Sequence, residues 1–167
     1  MLRAERHLSH SELLELLRYE ASTGQFFWRV STSDRISVGD VAGSARDGYR
    51  VIRIWRRLYR AHRLAWFYVH KKWPKNDIDH KNRIRDDNRI ENLREATRSQ
   101  NHMNRTVSDR NTSGFKGVSK NGDRLFMTRI SINKVPTYIG TFETAEEAHA
   151  AYKAASIQHH KQFGRSK

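Results

Sequence analysis

The chain has no cysteine, only two prolines and no apolar stretch approaching the length of a membrane span. Without cysteine there is no disulfide framework and no thiolate zinc centre, so a small fold here must be held by its own packing. Without a long apolar run there is no transmembrane helix. The first residues, Met1-Leu2-Arg3-Ala4-Glu5-Arg6-His7, lack the apolar core of a signal peptide, so the expected compartment is the cytoplasm. Acidic residues are also scarce: 18 Asp and Glu face 32 Lys and Arg over 167 residues, a net charge of +14. The excess is four over residues 1–60, five over 61–113 and five over 114–167, so it is no basic tail. Each part of the chain is drawn to a polyanion, as in a protein lying along nucleic acid. No basic helix with a wide apolar face stands out, which argues against a membrane surface.

The length suits one ordinary domain or two to three small modules, and at 37% hydrophobic residues each module's core must be small. Ser9-His10-Ser11-Glu12 has capping-box spacing and opens a short helix with Leu13, Leu14, Leu16 and Leu17 on its apolar face. Ser22-Thr23-Gly24 ends it, and residues 25–30 read as a strand. Residues 31–48 read as loops and short strand pieces up to Asp47-Gly48, a hairpin signal. Residues 49–54 and 58–60 form the next strand pair, with Arg50 and Arg53 facing solvent or phosphate. Residues 61–72 have helical apolar spacing closed by Trp73-Pro74. Short strands follow at 76–80 and 93–96, separated by a polar loop. Thr97-Arg98-Ser99-Gln100 then caps a helix.

The residues suited to chemistry cluster there. Asp79 and His80 end the first short strand, Asn92 follows His80 by twelve residues, and Asn101 follows it by twenty-one, in the first turns of the helix. Hydrolysis of a phosphodiester needs an activated water and neutralisation of the charge that builds on phosphate. A histidine near its ordinary pKa can take the water's proton at neutral pH, and hard oxygen donors suit a divalent cation. Taken alone, each feature has a plainer reading: a surface Asp-His pair, turn-forming Asn88 and Asn92, and a solvated charged loop.

The joint pattern, with His62-Arg63-Leu64-Ala65-Trp66 and Trp73-Pro74 before it, resembles the HNH nucleases, in particular a homing-endonuclease branch of phages and introns. The resemblance runs from about Leu17 to Arg105. It implies a ββα-metal core in which Asp79 and Asn101 hold Mg²⁺ (or Mn²⁺), His80 is the general base and Asn92 braces the loop. It also implies that His62 is a structural, hydrogen-bonded core histidine. His102 stands where many relatives have a second asparagine, and is expected to be exposed.

Beyond a polar linker, strands are expected at 115–119, 125–132 and 137–142, followed by a helix at 145–159 capped by Thr144-Ala145-Glu146-Glu147. Ser113-Gly114-Phe115-Lys116-Gly117-Val118, Tyr138-Ile139-Gly140-Thr141-Phe142 and the helix resemble the APETALA-type, ethylene-response-factor-like DNA-binding domain. That resemblance implies a three-stranded sheet laid in the major groove. Strand alternation turns Phe126, Thr128, Ile130 and Ile139 towards the helix. It leaves Lys116, Ser119, Met127, Arg129, Ser131 and Tyr138 outward, and Lys120 and Arg124 are placed at phosphate.

The expectation is thus an α+β protein. It has an N-terminal region (1–48), a nuclease core (49–104), a linker (105–113) and a second DNA-binding domain (114–163). It binds double-stranded DNA, acts as a monomer and nicks one strand per active site. The alternative is a DNA-binding regulator without catalysis.

Overall fold

The computed structural model describes residues 8–104, 107, 111–132 and 135–160. Most of the expected linker therefore lies outside the described residues, as does the His102 side chain. The chain divides into two compact units, Met1–Ala96 and Thr97–Lys167. Among the described residues no helix is long and apolar enough to cross a membrane.

The first unit opens with α1 (His10–Leu16). Its capping box is formed: the Ser9 amide donates to Glu12 Oε2 at 2.7 Å and the Glu12 amide to Ser9 Oγ at 3.2 Å. The helix is shorter than its leucine spacing suggests. Leu17 is extended and begins β1 (Leu17–Glu20), which pairs antiparallel with β2 (Gln25–Trp28) in the register Leu17↔Trp28 to Glu20↔Gln25. Leu13 and Leu17 are both fully buried, so strand pairing reaches the same core that a longer helix would have reached.

A three-stranded antiparallel sheet follows in the order β3 (Ser44–Arg46), β4 (Tyr49–Ile54), β5 (Arg57–Arg60). Asp47 and Gly48, at φ 52° and 78°, make the tight β3–β4 turn. α2 (Ala61–His70) starts directly from β5 and stops where Lys71 turns left-handed at φ 58°. Trp73 folds back to stack on Phe67, ring centroids 4.2 Å apart. The chain then forms β6 (Asp77–His80), a loop ending in a 3₁₀ turn at Ile90–Asn92, and β7 (Leu93–Ala96) antiparallel to β6.

One core joins these pieces, with Leu13, Leu17, Phe26, Ile52, Leu64, Phe67, Ile78 and Leu93 among its members. Each fully buried side chain of this size contributes roughly 1.5–3 kcal/mol. The strand carrying Asp79 and His80 is thereby packed by the N-terminal residues as well as by its own neighbours.

The second unit begins with α3 (Arg98–Met103). Thr97 and Gln100 exchange the two capping-box bonds at 2.8 and 3.3 Å. β8 (Val118–Asn121), β9 (Leu125–Ile132) and β10 (Val135–Phe142) form an antiparallel sheet with β9 central, packed by α4 (Ala145–His160). The expected first strand is displaced: Phe115-Lys116-Gly117 precede β8 in a turn. Gly117 has φ 75°, and a Cβ there would sit 2.2 Å from the Tyr152 ring. The core is small, built on Val118, Ala145 and Ala148 with Phe115, Phe126 and Phe142 packed against it.

Candidate active site

Antiparallel pairing of β6 and β7 sets Asp79 opposite Arg94 and His80 opposite Leu93. Directly opposed side chains in such a pair are close enough to interact. Arg94 Nε donates to Asp79 Oδ2 at 2.8 Å, with Nη2 2.7 Å from the same oxygen. Both residues are buried, at 5% and 9% exposure, so the carboxylate lies in the interior beside its own counter-cation. Leaving such a charge without its partner costs several kcal/mol, on the order of 3–5. Sequence inspection does not reveal this pair, because Asp79 and Arg94 meet only through the register of two strands.

His80 is also buried, and its Nε2 lies 3.2 Å from Asn88 Oδ1. The Asn88 amide nitrogen donates to the Asp86 carbonyl at 3.2 Å, which orients the amide and leaves Oδ1 as an acceptor. Nε2 must therefore carry the proton, and in the neutral ring the lone pair falls on Nδ1. Burial lowers the His80 pKa below its ordinary 6.5. The Asn88 bond and the carboxylates Asp79, Asp87 and Asp86 oppose the shift without reversing it. The ring is neutral at physiological pH, the form a general base requires.

Asn88 is itself 1% exposed and tightly held. The Tyr19 hydroxyl on β1 donates to its carbonyl at 2.8 Å, and a Cβ on Gly24 would come within 2.4–2.6 Å of the Asn88–Arg89 backbone. The β1–β2 hairpin thus fixes the residue that fixes the histidine. Read as a turn former from the sequence, Asn88 is instead a buried partner of His80.

Asn92 lies across the loop: Nδ2 donates to the Asp87 carbonyl at 2.8 Å and Oδ1 accepts from the Asn82 amide at 3.0 Å. Asp87 adds a bidentate bond to Arg89 at 2.8 and 2.7 Å, and this holds its carboxyl down at about 2.

His62 is buried, as expected of a core histidine; its Nδ1 has no hydrogen-bond partner among the described residues, and the ring packs edge-on against His80 with centroids 4.9 Å apart. Burial first, then the charges of His80, Arg60 and Arg63, lower its pKa well below 6.5. Tyr49 touches both rings, at 5.4 Å from His62 and 6.1 Å from His80.

Arg50 does not face solvent freely, since it forms a two-point bond with Asp86 at 3.2 Å for each contact. Arg53 is exposed. Asn101 lies half-buried on α3 in the second unit. In that unit Ser119, Lys120, Arg124, Arg129, Ser131 and Tyr138 are exposed. Lys116 is half-buried and its ammonium donates to the Met103 carbonyl, which corrects its expected position on the outer sheet face. No group of three or more His, Asp or Glu side chains arranged to hold a metal ion occurs among the described residues.

Residues 59–103 match the family model of HNH endonucleases. That match covers Asp79, His80, Asn88, Asn92, Arg94 and Asn101, and it supports an HNH nuclease acting on DNA. No curated protein and no solved structure matches the chain.

Proposed function

We propose that the chain is a metal-dependent DNA endonuclease of the homing type, nicking one strand of an extended duplex site for each active centre. The observation that carries this reading is the state of His80. A histidine with its proton fixed on Nε2 by Asn88 and its pKa held low stands beside the buried Asp79, inside the segment that matches the HNH model. His80 then accepts a proton from the attacking water at Nδ1, while Asn88 and the loop braced by Asn92 keep the ring oriented.

Asp79 suits a divalent metal because it is a hard oxygen donor, held in the interior beside Arg94. A bound Mg²⁺ or Mn²⁺ supplies the charge that phosphoryl chemistry requires. The roles of Asp79 and Asn101 as its ligands, and the ββα-metal description, rest on the family resemblance.

In the second unit, the three-stranded sheet backed by α4 supports a DNA-binding module of the APETALA type. Ser119, Arg129, Ser131 and Tyr138 are its candidates for base contact, Lys120 and Arg124 for phosphate. Arg53, in the first unit, adds an exposed cation.

The test is supercoiled DNA incubated with Mg²⁺ or Mn²⁺ and either the wild-type chain or His80→Ala. Accumulation of nicked circles with the wild type alone is the expected result. Equal nicking by His80→Ala, or none by the wild type, removes the catalytic reading.

A further inference from the structure

The three-stranded sheet of the first unit has two tight hairpin turns, and they obey different rules. Between β3 and β4 the left-handed positions are Asp47 and Gly48, a pairing such turns favour. Between β4 and β5 the flanking pair is Ile54↔Arg57, and the left-handed positions are Trp55 and Arg56, at φ 45° and 65°. A side chain with a Cβ is strained there, and a bulky aromatic one is a rare choice. Strain of this kind persists where neighbouring structure enforces it, and it gathers at binding sites. Here buried Ile52, Ile54 and Tyr59 anchor the two strands behind the turn.

What the turn displays is equally unusual. Trp55 is 53% exposed, whereas Trp28 is buried, Trp73 stacks on Phe67 and Trp66 packs against His70. Arg53, Arg56 and Arg57 surround it in sequence, all exposed, with no carboxylate or hydrogen-bond partner among the described residues. Arg50, Arg89 and Arg94 in the same unit are each paired to an acid. An exposed indole flanked in sequence by unpaired guanidinium groups fits stacked bases between phosphates better than it fits water.

We propose that the β4–β5 hairpin tip is a DNA wedge: Trp55 stacks on the bases of the duplex while Arg53, Arg56 and Arg57 engage the flanking phosphates. The proposal rests on the endonuclease reading for its partner, and it names the residue that distorts the substrate. β4 also sets a reach. Tyr49 touches the His80 ring, and Trp55 lies six residues further along the chain, about 20 Å at the rise of an extended strand. That span corresponds to roughly six base pairs of duplex.

The experiment uses the full chain carrying His80→Ala, a mixed-sequence duplex oligonucleotide and a chelator, so that binding is read without cleavage. Duplex should quench the tryptophan emission, and adding Trp55→Phe should abolish most of that quenching. Trp55→Asn keeps every charge and places a residue tolerant of left-handed backbone at the turn. It should weaken duplex binding on the order of tenfold, leave the salt dependence unchanged and melt no lower than its parent. Binding within twofold of the parent, unquenched emission at saturation, or quenching by anionic vesicles but not by duplex overturns the wedge. If the wild type fails to nick supercoiled DNA while duplex quenching through Trp55 persists, the catalytic reading falls and the wedge stands.

Discussion

The two units bury different things. In the first, the interior holds Asp79, Arg94, His62, His80, Asn88 and Asn92 beside a large apolar core. In the second, the buried polar groups among the described residues are Asn104, Thr128, Ser156 and His160, with no carboxylate or guanidinium among them. Its cationic side chains Lys120, Arg124 and Arg129 are exposed instead. Desolvated ionisable groups are costly, and a fold retains them where their charge state or orientation is used. Exposed cations cost little and act on a polyanion over distance. The contrast separates a unit organised to hold a proton and a charge in fixed positions from one organised to present a surface.

The largest expected effect in breaking this contrast is at His80. His80→Ala should lower nicking by about 10²–10⁴-fold with duplex affinity preserved, measured by single-turnover cleavage and anisotropy. Asn88→Ala removes the acceptor that fixes the Nε2 proton. A fall in kcat of roughly 10–100-fold is expected, as for loss of an outer partner that orients a functional histidine. KM should stay close to that of the parent, and the acid limb of the pH–rate profile should move. A change in KM alone would make Asn88 a binding residue.

In the other unit, Gly117→Ala forces a Cβ against Tyr152 at a left-handed φ of 75°. The expected cost is about 3 kcal/mol of unit stability. Duplex affinity should drop while cleavage at saturating DNA is retained, and calorimetry should show one transition lowered. Equal loss of turnover would show that the units do not divide the work.

The smallest effect is in pH. His80 titrates below 6.5, so the rate should persist under mildly acidic conditions and fall only as pH drops through that lowered value. The stability arithmetic has the same sign. His62 and His80 are neutral when folded, and the unfolded chain binds more protons below about 6.5. Their contribution is fully present above that pH and is lost progressively as pH falls towards their folded values. His62→Phe should flatten the slope of melting temperature against pH between neutrality and mild acid.

Local rules carried much of the fold. The capping boxes at Ser9, Thr97 and Thr144 form, the Asp47-Gly48 turn forms, and β4, β7 and β9 fall on their alternating or short apolar runs. Local rules failed where two solutions bury the same side chains. Leu13, Leu14, Leu16 and Leu17 suit a longer helix, yet Leu17 is spent in a strand because Trp28 is there to pair with it. At the site, the family pattern picked out residues, but their partners depend on contacts distant in sequence. The His62 ring on α2 meets the His80 ring on β6 across eighteen positions, and Tyr19 reaches Asn88 across 69. The Asp79–Arg94 pair needs the β6–β7 register, which no single segment encodes.

That pair has a consequence for assembly. Many small metal-binding modules are unfolded until the ion arrives, because their ligands repel one another or stay unsatisfied without it. Here Asp79, at the strand end, already has a cation supplied by the neighbouring strand, so its buried charge is balanced without an ion. On the proposed metal-dependent reading, folding and loading are separate events, and Arg94 holds the place of the charge that an ion would bring. A chelator should then silence cleavage and leave the melting temperature where it was.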